Sequence, residues 1–196
     1  MVASAQRRIR SGTRQDRRAG PILHPVRHPV RGVRLFPCHR RLTVKVYSIT
    51  TDTMALAVTP IGNRLYKLAR DTRVEVLTDD GSFVFKFKAG FVTNFRSGGV
   101  AVDCFVDQVG DEKKALCYLV HDAIYTPCAA LGMEHPISRI KGDQLLRAAL
   151  LYAGMHKLKA ALVYNSVRLF GHSAYWDDDA LTSANSKLFS FEWKGK

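Results

Sequence analysis

The chain has 196 residues, 46% of them hydrophobic, and a formal net charge of +13 at pH 7. This is enough for one domain with a real hydrophobic core plus a tail. No apolar run approaches the roughly 20 residues that a transmembrane helix needs. The N-terminus also lacks the continuous apolar core of a secretory signal peptide, so the sequence predicts neither secretion nor membrane insertion.

The positive charge is concentrated at the N-terminus. Residues 1–53 contain 12 Lys and Arg against two acidic residues, whereas residues 54–196 contain 18 against 15. The segment is rich in Arg, His, Pro and Gly and shows no periodicity before Leu42–Ile49, so we expect a disordered basic extension at 1–53 and one domain at 54–196. Three interpretations stay open: an arm for nucleic acid or anionic lipid, a targeting peptide, or a region upstream of a true translation start at Met54, which we favour.

The first half of the domain has the pattern of β-structure. Val74–Leu77 and Phe83–Phe87 alternate around the turn residues Thr78–Gly81, which predicts a β-hairpin. Phe83, Phe85 and Phe87 share one face of the second strand and are expected in the core. Lys187–Trp193 alternates in the same way and predicts a last short strand.

The second half has the pattern of three helices. They are expected at about Glu112–Tyr125, at Ser138–Tyr152 with Ser138 as the N-cap, and at Leu158–Phe170, ending at Gly171. The order of elements predicts a single α+β domain, in which an N-terminal β-hairpin region is followed by a three-helix core.

The first helix carries titratable residues within an apolar run. His121 and Asp122 are consecutive, so they point about 100° apart on a helix, while Tyr125 lies on the same face as His121. The short connection to the second helix makes the two helices antiparallel neighbours and could bring Asp143 opposite His121. A carboxylate there would fix the imidazole tautomer and stabilise the imidazolium, leaving the other ring nitrogen to act as a base.

The Asp122 side chain points about 100° away from that of His121 and could have a different function. Turned toward the Gly-rich turn, it could ligate a hard cation together with backbone carbonyls near Asn94–Ser97. Such a cation would polarise an ester carbonyl and stabilise its oxyanion.

The same residues also have a purely structural interpretation. His121 could be a core histidine that donates to a carbonyl, with Asp122 facing solvent or capping a turn. Asp143 could be a buried acid paired with Arg139 or Arg168, forming a strut between helices. The spacing alone leaves this alternative open.

Four motifs, in order, carry a resemblance. They are Gly90–Ser97, His121–Tyr125, Arg139 with Asp143, and Tyr164–Gly171. Together they resemble a family of short phage and prophage proteins of unassigned function, with the patterns Gly-Phe-x-Thr-Asp, His-Asp-x-x-Tyr, Arg-x-x-x-Asp and Tyr-x-x-Val-Arg-x-x-Gly. The resemblance covers about residues 54–176. It implies a location in the cytoplasm of a bacterial host or in a virion, and phage structural proteins as partners.

This pattern is in turn similar to the bacterial and fungal branch of phospholipase A2, a calcium-dependent esterase. The resemblance implies that His121 is the general base, Asp143 its orienting partner, and Tyr125 a hydrogen-bonding member of the dyad network. It also implies that Asp122 is a calcium ligand and that the Asn94 region supplies the calcium loop. Asn94 stands where an Asp is expected, which removes one anionic ligand, and the disulfides of secreted phospholipases are missing.

Two functional hypotheses follow from the sequence. The first is a small calcium-dependent esterase that uses a His-Asp dyad on phospholipid or a related envelope component. The alternative is a non-enzymatic phage structural or host-interaction protein that contains a packed polar His-Asp network. Nucleic acid is an expected partner only through residues 1–53.

Overall fold

The computed structural model describes residues 44–53, 55–62, 65–95, 111–176 and 180–195. All of them belong to one of two compact units of the chain, which spans Arg40–Lys196. This unit contains both strands and helices, as the sequence predicts for an α+β domain. The predictions for residues 1–43 and for the Gly-rich turn after Phe95 lie outside the described residues.

The described residues form strands first, then helices, and a final strand. The strands are β1 (Val46–Thr51), β2 (Val58–Gly62), β3 (Leu65–Leu68), β4 (Thr72–Thr78), β5 (Gly81–Phe87), β6 (Val92–Thr93) and β7 (Phe189–Gly195). The helices are α1 (Glu112–Ile124), α2 (Arg139–Tyr152), α3 (Lys157–Trp176) and α4 (Ala180–Asn185), with a short 3-10 turn at Ala129–Leu131.

The larger sheet contains the predicted hairpin. Its strands are antiparallel in the order β1-β4-β5-β7, and the hairpin closes where Thr78 pairs with Gly81. Gly81 has a φ of +137°, and a Cβ there would collide with the backbone carbonyl of Lys194 in β7. Glycine is therefore required at this position both for the turn and for the approach of the last strand.

The aromatic face of β5 forms the core of this sheet, as predicted. Phe83, Phe85 and Phe87 are all 2% exposed or less. They stack with Phe189 and Phe191, which β7 brings alongside. The predicted last strand at Lys187–Trp193 is thus present, shifted by about two residues toward the C-terminus.

A second sheet and an upstream strand were not predicted. Strands β2, β3 and β6 form a small antiparallel sheet. Pro60 and Gly62 interrupt the alternation of apolar and polar residues in β2, so the sequence pattern does not indicate this strand. Strand β1 precedes Met54 and pairs with β4 along its whole length, burying Val46 and Ile49. The fold therefore extends upstream of the predicted domain boundary at Met54.

The three long helices begin as predicted and pack in series, α2 between α1 and α3. Asp111 caps α1 by accepting a hydrogen bond from the Lys114 backbone N–H at 3.2 Å, and Ser138 is the N-cap residue of α2. Helix α3 continues to Trp176, so the predicted end at Gly171 is wrong. Among the described helices none is long and apolar enough to cross a bilayer.

Candidate functional site

Asp143 lies at the centre of a polar cluster between α1, α2 and α3. Its side chain is 0% exposed, and its two oxygens receive bonds from both neighbouring helices. Oδ1 lies 3.0 Å from Nε2 of His121 and accepts a hydrogen bond from the Tyr125 hydroxyl at 2.7 Å. Oδ2 accepts a hydrogen bond from the Arg168 guanidinium at 2.8 Å. The structure thus brings together His121, Tyr125 and Asp143, the three residues expected to form the dyad network.

A buried glycine allows this contact between helices. Gly142 directly precedes Asp143 in α2, and a Cβ on it would lie 2.6 Å from Cγ2 of Ile124 in α1. The missing side chain lets α1 and α2 approach closely. One turn of α1 then presents both His121 and Tyr125 to the carboxylate, with their ring centroids 4.3 Å apart. Sequence reasoning gave no role to Gly142.

Two arginines complete the cluster, with different tasks. Arg168 forms the close ion pair with Asp143, whereas Nε of Arg139 is 4.0 Å from the carboxylate. Arg139 donates instead to the Tyr125 hydroxyl at 3.3 Å and to the backbone carbonyls of Val167 and Arg168 at 2.8 and 2.7 Å. Arg139 therefore fastens α2 to α3, and Arg168 supplies the counter-charge. The Asp143 carboxylate therefore makes both the dyad contact with His121 and the ion pair with Arg168 that links the helices.

The partners of Asp143 keep it ionised. Burial pushes the pKa of this carboxyl upward, but hydrogen bonds from His121, Arg168 and Tyr125 outweigh it and hold the pKa below its usual value. An ionised carboxylate can only accept hydrogen bonds, so Nε2 of His121 carries the hydrogen between the two groups. In a neutral imidazole Nδ1 is then the basic nitrogen.

Tyr125 is held in place by a second glycine. A Cβ on Gly171 would lie 2.7 Å from the Tyr125 hydroxyl oxygen. Gly171 is thus an interior residue of α3 that makes room for Tyr125, and it does not end the helix. The Tyr125 ring also meets Tyr175 edge-on at 5.2 Å, and Tyr175 stacks on His135 at 3.8 Å. Tyr175 and His135 were not predicted to lie near the site.

Asp122 occupies a separate corner, between α1 and the end of β6. Its Oδ2 accepts a hydrogen bond of 2.5 Å from the Thr93 hydroxyl, which in turn accepts one from the Phe95 backbone N–H at 3.1 Å. Burial raises the pKa of Asp122 to about 6, although the Thr93 hydroxyl, His121 and the backbone N–H groups of Asn94 and Phe95 oppose the shift. Asp122 faces the backbone of Asn94 and Phe95, which is the described part of the segment Asn94–Ser97 predicted for it.

The surroundings of Asp122 suit a hydrogen-bond acceptor better than a calcium ligand. Calcium requires six to eight oxygen ligands, whereas Thr93 and the following backbone N–H groups direct hydrogen-bond donors at this carboxylate. In the described part of the chain no three His, Cys, Asp or Glu residues are grouped to hold a metal. Calcium binding by Asp122 and Asn94 stays a prediction.

A nearby cavity is separate from the dyad. Its volume is about 130 Å³, and it lies beside Phe95 and the start of α1, without His121 or Asp143 in its lining.

One turn before Asp122, the hydroxyl of Tyr118 is buried and has no hydrogen-bond partner among the described residues. The His121 side chain is 3% exposed, so the cluster is packed between helices.

Comparison with known proteins places the chain in a family. The profile of the family described as "Protein of unknown function (DUF1353)" matches residues 67–167, which include His121, Tyr125, Arg139 and Asp143 and end one residue before Arg168. Searches of curated proteins and of solved structures give no match. Because the match covers more than half of the chain, the protein belongs to the DUF1353 family.

Proposed function

We propose that this protein is a small hydrolase of ester bonds in which His121 is the general base. The observation that carries the proposal is the contact of 3.0 Å between Nε2 of His121 and Oδ1 of Asp143, on a carboxylate that its partners keep ionised. The general base of a hydrolase needs such an orienting partner, because the partner fixes the tautomer and stabilises the imidazolium.

The proposed reaction uses the dyad in two steps. Nδ1 of His121 takes a proton from a water molecule as that water attacks the ester carbonyl carbon. The imidazolium is stabilised by Asp143 through Nε2–H. It then returns the proton to the leaving alkoxide, so that the products are a carboxylic acid and an alcohol. Tyr125 and Arg168 hold the carboxylate in position and do not exchange protons.

The proposed substrate is a phospholipid or a related ester of a cell envelope. The order of the motifs supports this class, because it is similar to that of prokaryotic phospholipase A2. A phage or prophage origin and dependence on calcium belong to the same proposal. Asn94 and the donor groups around Asp122 make the proposed calcium dependence weak.

The test is fatty-acid release from mixed phospholipid vesicles by the full chain, with calcium and with a chelator. We expect His121→Ala to lower the rate at least about a hundredfold, because general base catalysis contributes 10²–10⁴-fold. His172→Ala is the matched control, since His172 is exposed on α3 and outside the cluster. It should leave the rate unchanged.

Two results would contradict the proposal. One is equal release by His121→Ala and the wild type, which would place any activity elsewhere. The other is no release from any vesicle, with calcium or chelator, by a chain that circular dichroism shows to be folded.

A second candidate function is a non-enzymatic phage structural or host-interaction protein. The burial of the cluster favours it, since His121 is 3% and Asp143 0% exposed and every oxygen of Asp143 is partnered. In that case the cluster only connects three helices. Substitutions in it would lower thermal stability and change no turnover.

A further inference from the structure

Strand β7 lies at one edge of the larger sheet. It pairs with β5 on one side, and no other described strand pairs with it on the far side. Phe189 and Phe191 near its beginning are buried, whereas its last four residues, Glu192–Gly195, are all exposed. An edge strand offers a row of backbone N–H and C=O groups with which the strand of another chain can pair. The far side of β7 is therefore a candidate surface for association.

The directions of the backbone groups show which residues of β7 can take part. The Leu188 carbonyl, which directly precedes the strand, accepts a backbone hydrogen bond of 2.8 Å from the residue that follows β5. The next carbonyl, that of Phe189, points the opposite way, because it accepts a hydrogen bond from the Cys128 thiol at 3.6 Å. Backbone groups alternate in direction along a strand. Those of Phe191 and Gly195 therefore also point away from β5.

The first residues of β7 are already covered on this far side. Besides the Cys128 thiol, the short 3-10 turn lies beside them, and the Ala129 backbone N–H donates to the Ser186 carbonyl at 2.9 Å. A further strand beside Phe189 would collide with these groups. Pairing with another strand is therefore limited to the second half of β7, Phe191–Gly195.

The two charged side chains in this half have opposite signs. Glu192 and Lys194 are two residues apart, so both point to the same face of the sheet, and both are exposed. The Glu192 carboxylate forms an ion pair with Lys86 of β5 and keeps 46% of its side chain exposed. Two charges of the same sign would repel a second copy of the strand. One charge of each sign instead matches a second copy that runs antiparallel, because the order of the charges is then reversed.

We propose that the protein forms a two-fold symmetric dimer in which the second halves of two β7 strands pair antiparallel, centred on Trp193. In this register Glu192 lies opposite Lys194 of the second copy, and Lys194 lies opposite its Glu192. Phe191 likewise lies opposite Gly195 of the second copy, and their outward backbone groups exchange hydrogen bonds. The Glu192–Lys194 pairs are then the non-hydrogen-bonded pairs, in which opposite side chains come closest. The two four-stranded sheets become one continuous sheet.

Charge and contact disfavour the neighbouring registers. A pairing centred on Glu192 would place the two Glu192 side chains opposite each other and would require a strand beside Phe189, which Cys128 covers. A pairing centred on Lys194 would place two lysines opposite each other, and like charges in directly opposite positions are destabilising. The register centred on Trp193 thus pairs both charges within the part of β7 that a second strand can reach.

Other occupants match this surface less well. Residues 1–43 contain eleven arginines and one aspartate, so this segment would attract Glu192 and repel Lys194. An acidic peptide would attract Lys194 and repel Glu192. A second copy of β7 satisfies both charges at once, and the two-fold symmetry makes each contact twice.

The test is sedimentation equilibrium of the full chain over a wide range of protein concentrations at physiological salt. We expect the wild type to form a dimer. Lys194→Glu replaces two attractive pairs by two repulsive ones, and we expect it to raise the dissociation constant at least about tenfold. Lys159→Glu is the matched control, because Lys159 is exposed on α3 and undergoes the same change of charge. This control should leave the dissociation constant unchanged.

Exchanging the two charges separates strand pairing from a general loss of stability. In E192K/K194E both positions change sign, so the opposite charges face each other again and the dimer should return. In a mixture of Glu192→Lys and Lys194→Glu, the copies of each variant repel one another, whereas the two variants attract each other. We expect the mixed dimer to predominate. Damage to the fold by either substitution would not be repaired by mixing.

Several results would overturn the inference. They are a wild type that stays monomeric at every concentration, a dimer that Lys194→Glu leaves intact, and a failure of E192K/K194E or of the mixture to recover a dimer. The inference is independent of the proposed function, since β7 shares no residue with the His121–Asp143 cluster.

Discussion

The two acids Asp122 and Asp143 show how partners, rather than burial, decide the state of a carboxylate. Asp143 is fully buried and Asp122 is half-buried, on neighbouring helices. Asp143 meets a guanidinium and an imidazole, and its pKa lies below the usual value. Asp122 meets chiefly a hydroxyl and backbone N–H groups, and its pKa is raised to about 6. Neutral donors do not compensate for the lost hydration of a charge as charged donors do.

The contrast separates two residues that are adjacent in the chain. His121 belongs to the charged cluster between the three helices, and Asp122 belongs to the neutral corner beside β6. The helix turns about 100° between them, so one peptide bond joins two different electrostatic environments. Substitutions in each environment test whether the two are independent.

The largest effect is expected at the charged cluster. Asp143→Asn leaves Arg168 and His121 without their counter-charge, and we expect the free energy of unfolding to fall by about 3 kcal/mol. Urea denaturation measures this loss. Asp80→Asn is the matched control, because Asp80 forms a more exposed ion pair with Lys141 at 2.9 Å. The Asp80→Asn substitution should lower the free energy of unfolding by less than about 1 kcal/mol. Equal losses in the two variants would remove the distinction between the cluster and a surface pair.

A smaller effect, defined by its dependence on pH, is expected at the neutral corner. The folded-state pKa of Asp122 is about 6 and its unfolded value is near 3.9, so between these values only the folded state binds the proton. Stability then falls as pH rises through this window. Relative to Asp122→Asn, the wild type should lose about 2 kcal/mol between pH 4 and pH 7 and little above pH 7. Melting of both proteins across this range measures the difference, and a constant difference would show that Asp122 has an ordinary pKa.

The smallest effect is expected at Gly171. Alanine gains about 1 kcal/mol in helix propensity, but its Cβ would press on the Tyr125 hydroxyl, and overpacking costs about 1–3 kcal/mol. We expect a net loss of about 1 kcal/mol. Ser173→Ala, an exposed change in the same helix, should stay within about 0.5 kcal/mol. The pH profile of Asp122 should be unchanged in Gly171→Ala, and a shifted profile would show that the two environments are coupled.

The contact between His121 and Asp143 could be predicted from the sequence because it depends on local rules. Helical periodicity places His121 and Tyr125 on one face, and a short connection makes α1 and α2 antiparallel. The β4–β5 hairpin follows similarly from its alternation and its turn residues. In each case the partners are fixed by few residues of intervening chain.

The remaining features depend on contacts that no local pattern encodes. A glycine in a helix is commonly interpreted as an end signal, but Gly171 is there to receive a side chain from α1. Gly142 likewise makes sense only when Ile124 packs on it. The donors around Asp122 come from Thr93 at the end of β6 and from the backbone that follows it, about 30 residues upstream, and nothing in the alternation of these residues indicates that donors point toward Asp122.

The last strand determines when the larger sheet can form. Strand β7 pairs with β5 along its full length, and the ion pair between Lys86 and Glu192 joins positions 106 residues apart. During synthesis the Phe83–Phe87 strand must therefore wait, with an unpaired edge, until the helices and β7 have left the ribosome. Pairings of such long sequence separation slow folding and expose apolar edges to aggregation. Production of the protein should therefore benefit from low temperature and from chaperones that hold nascent chains.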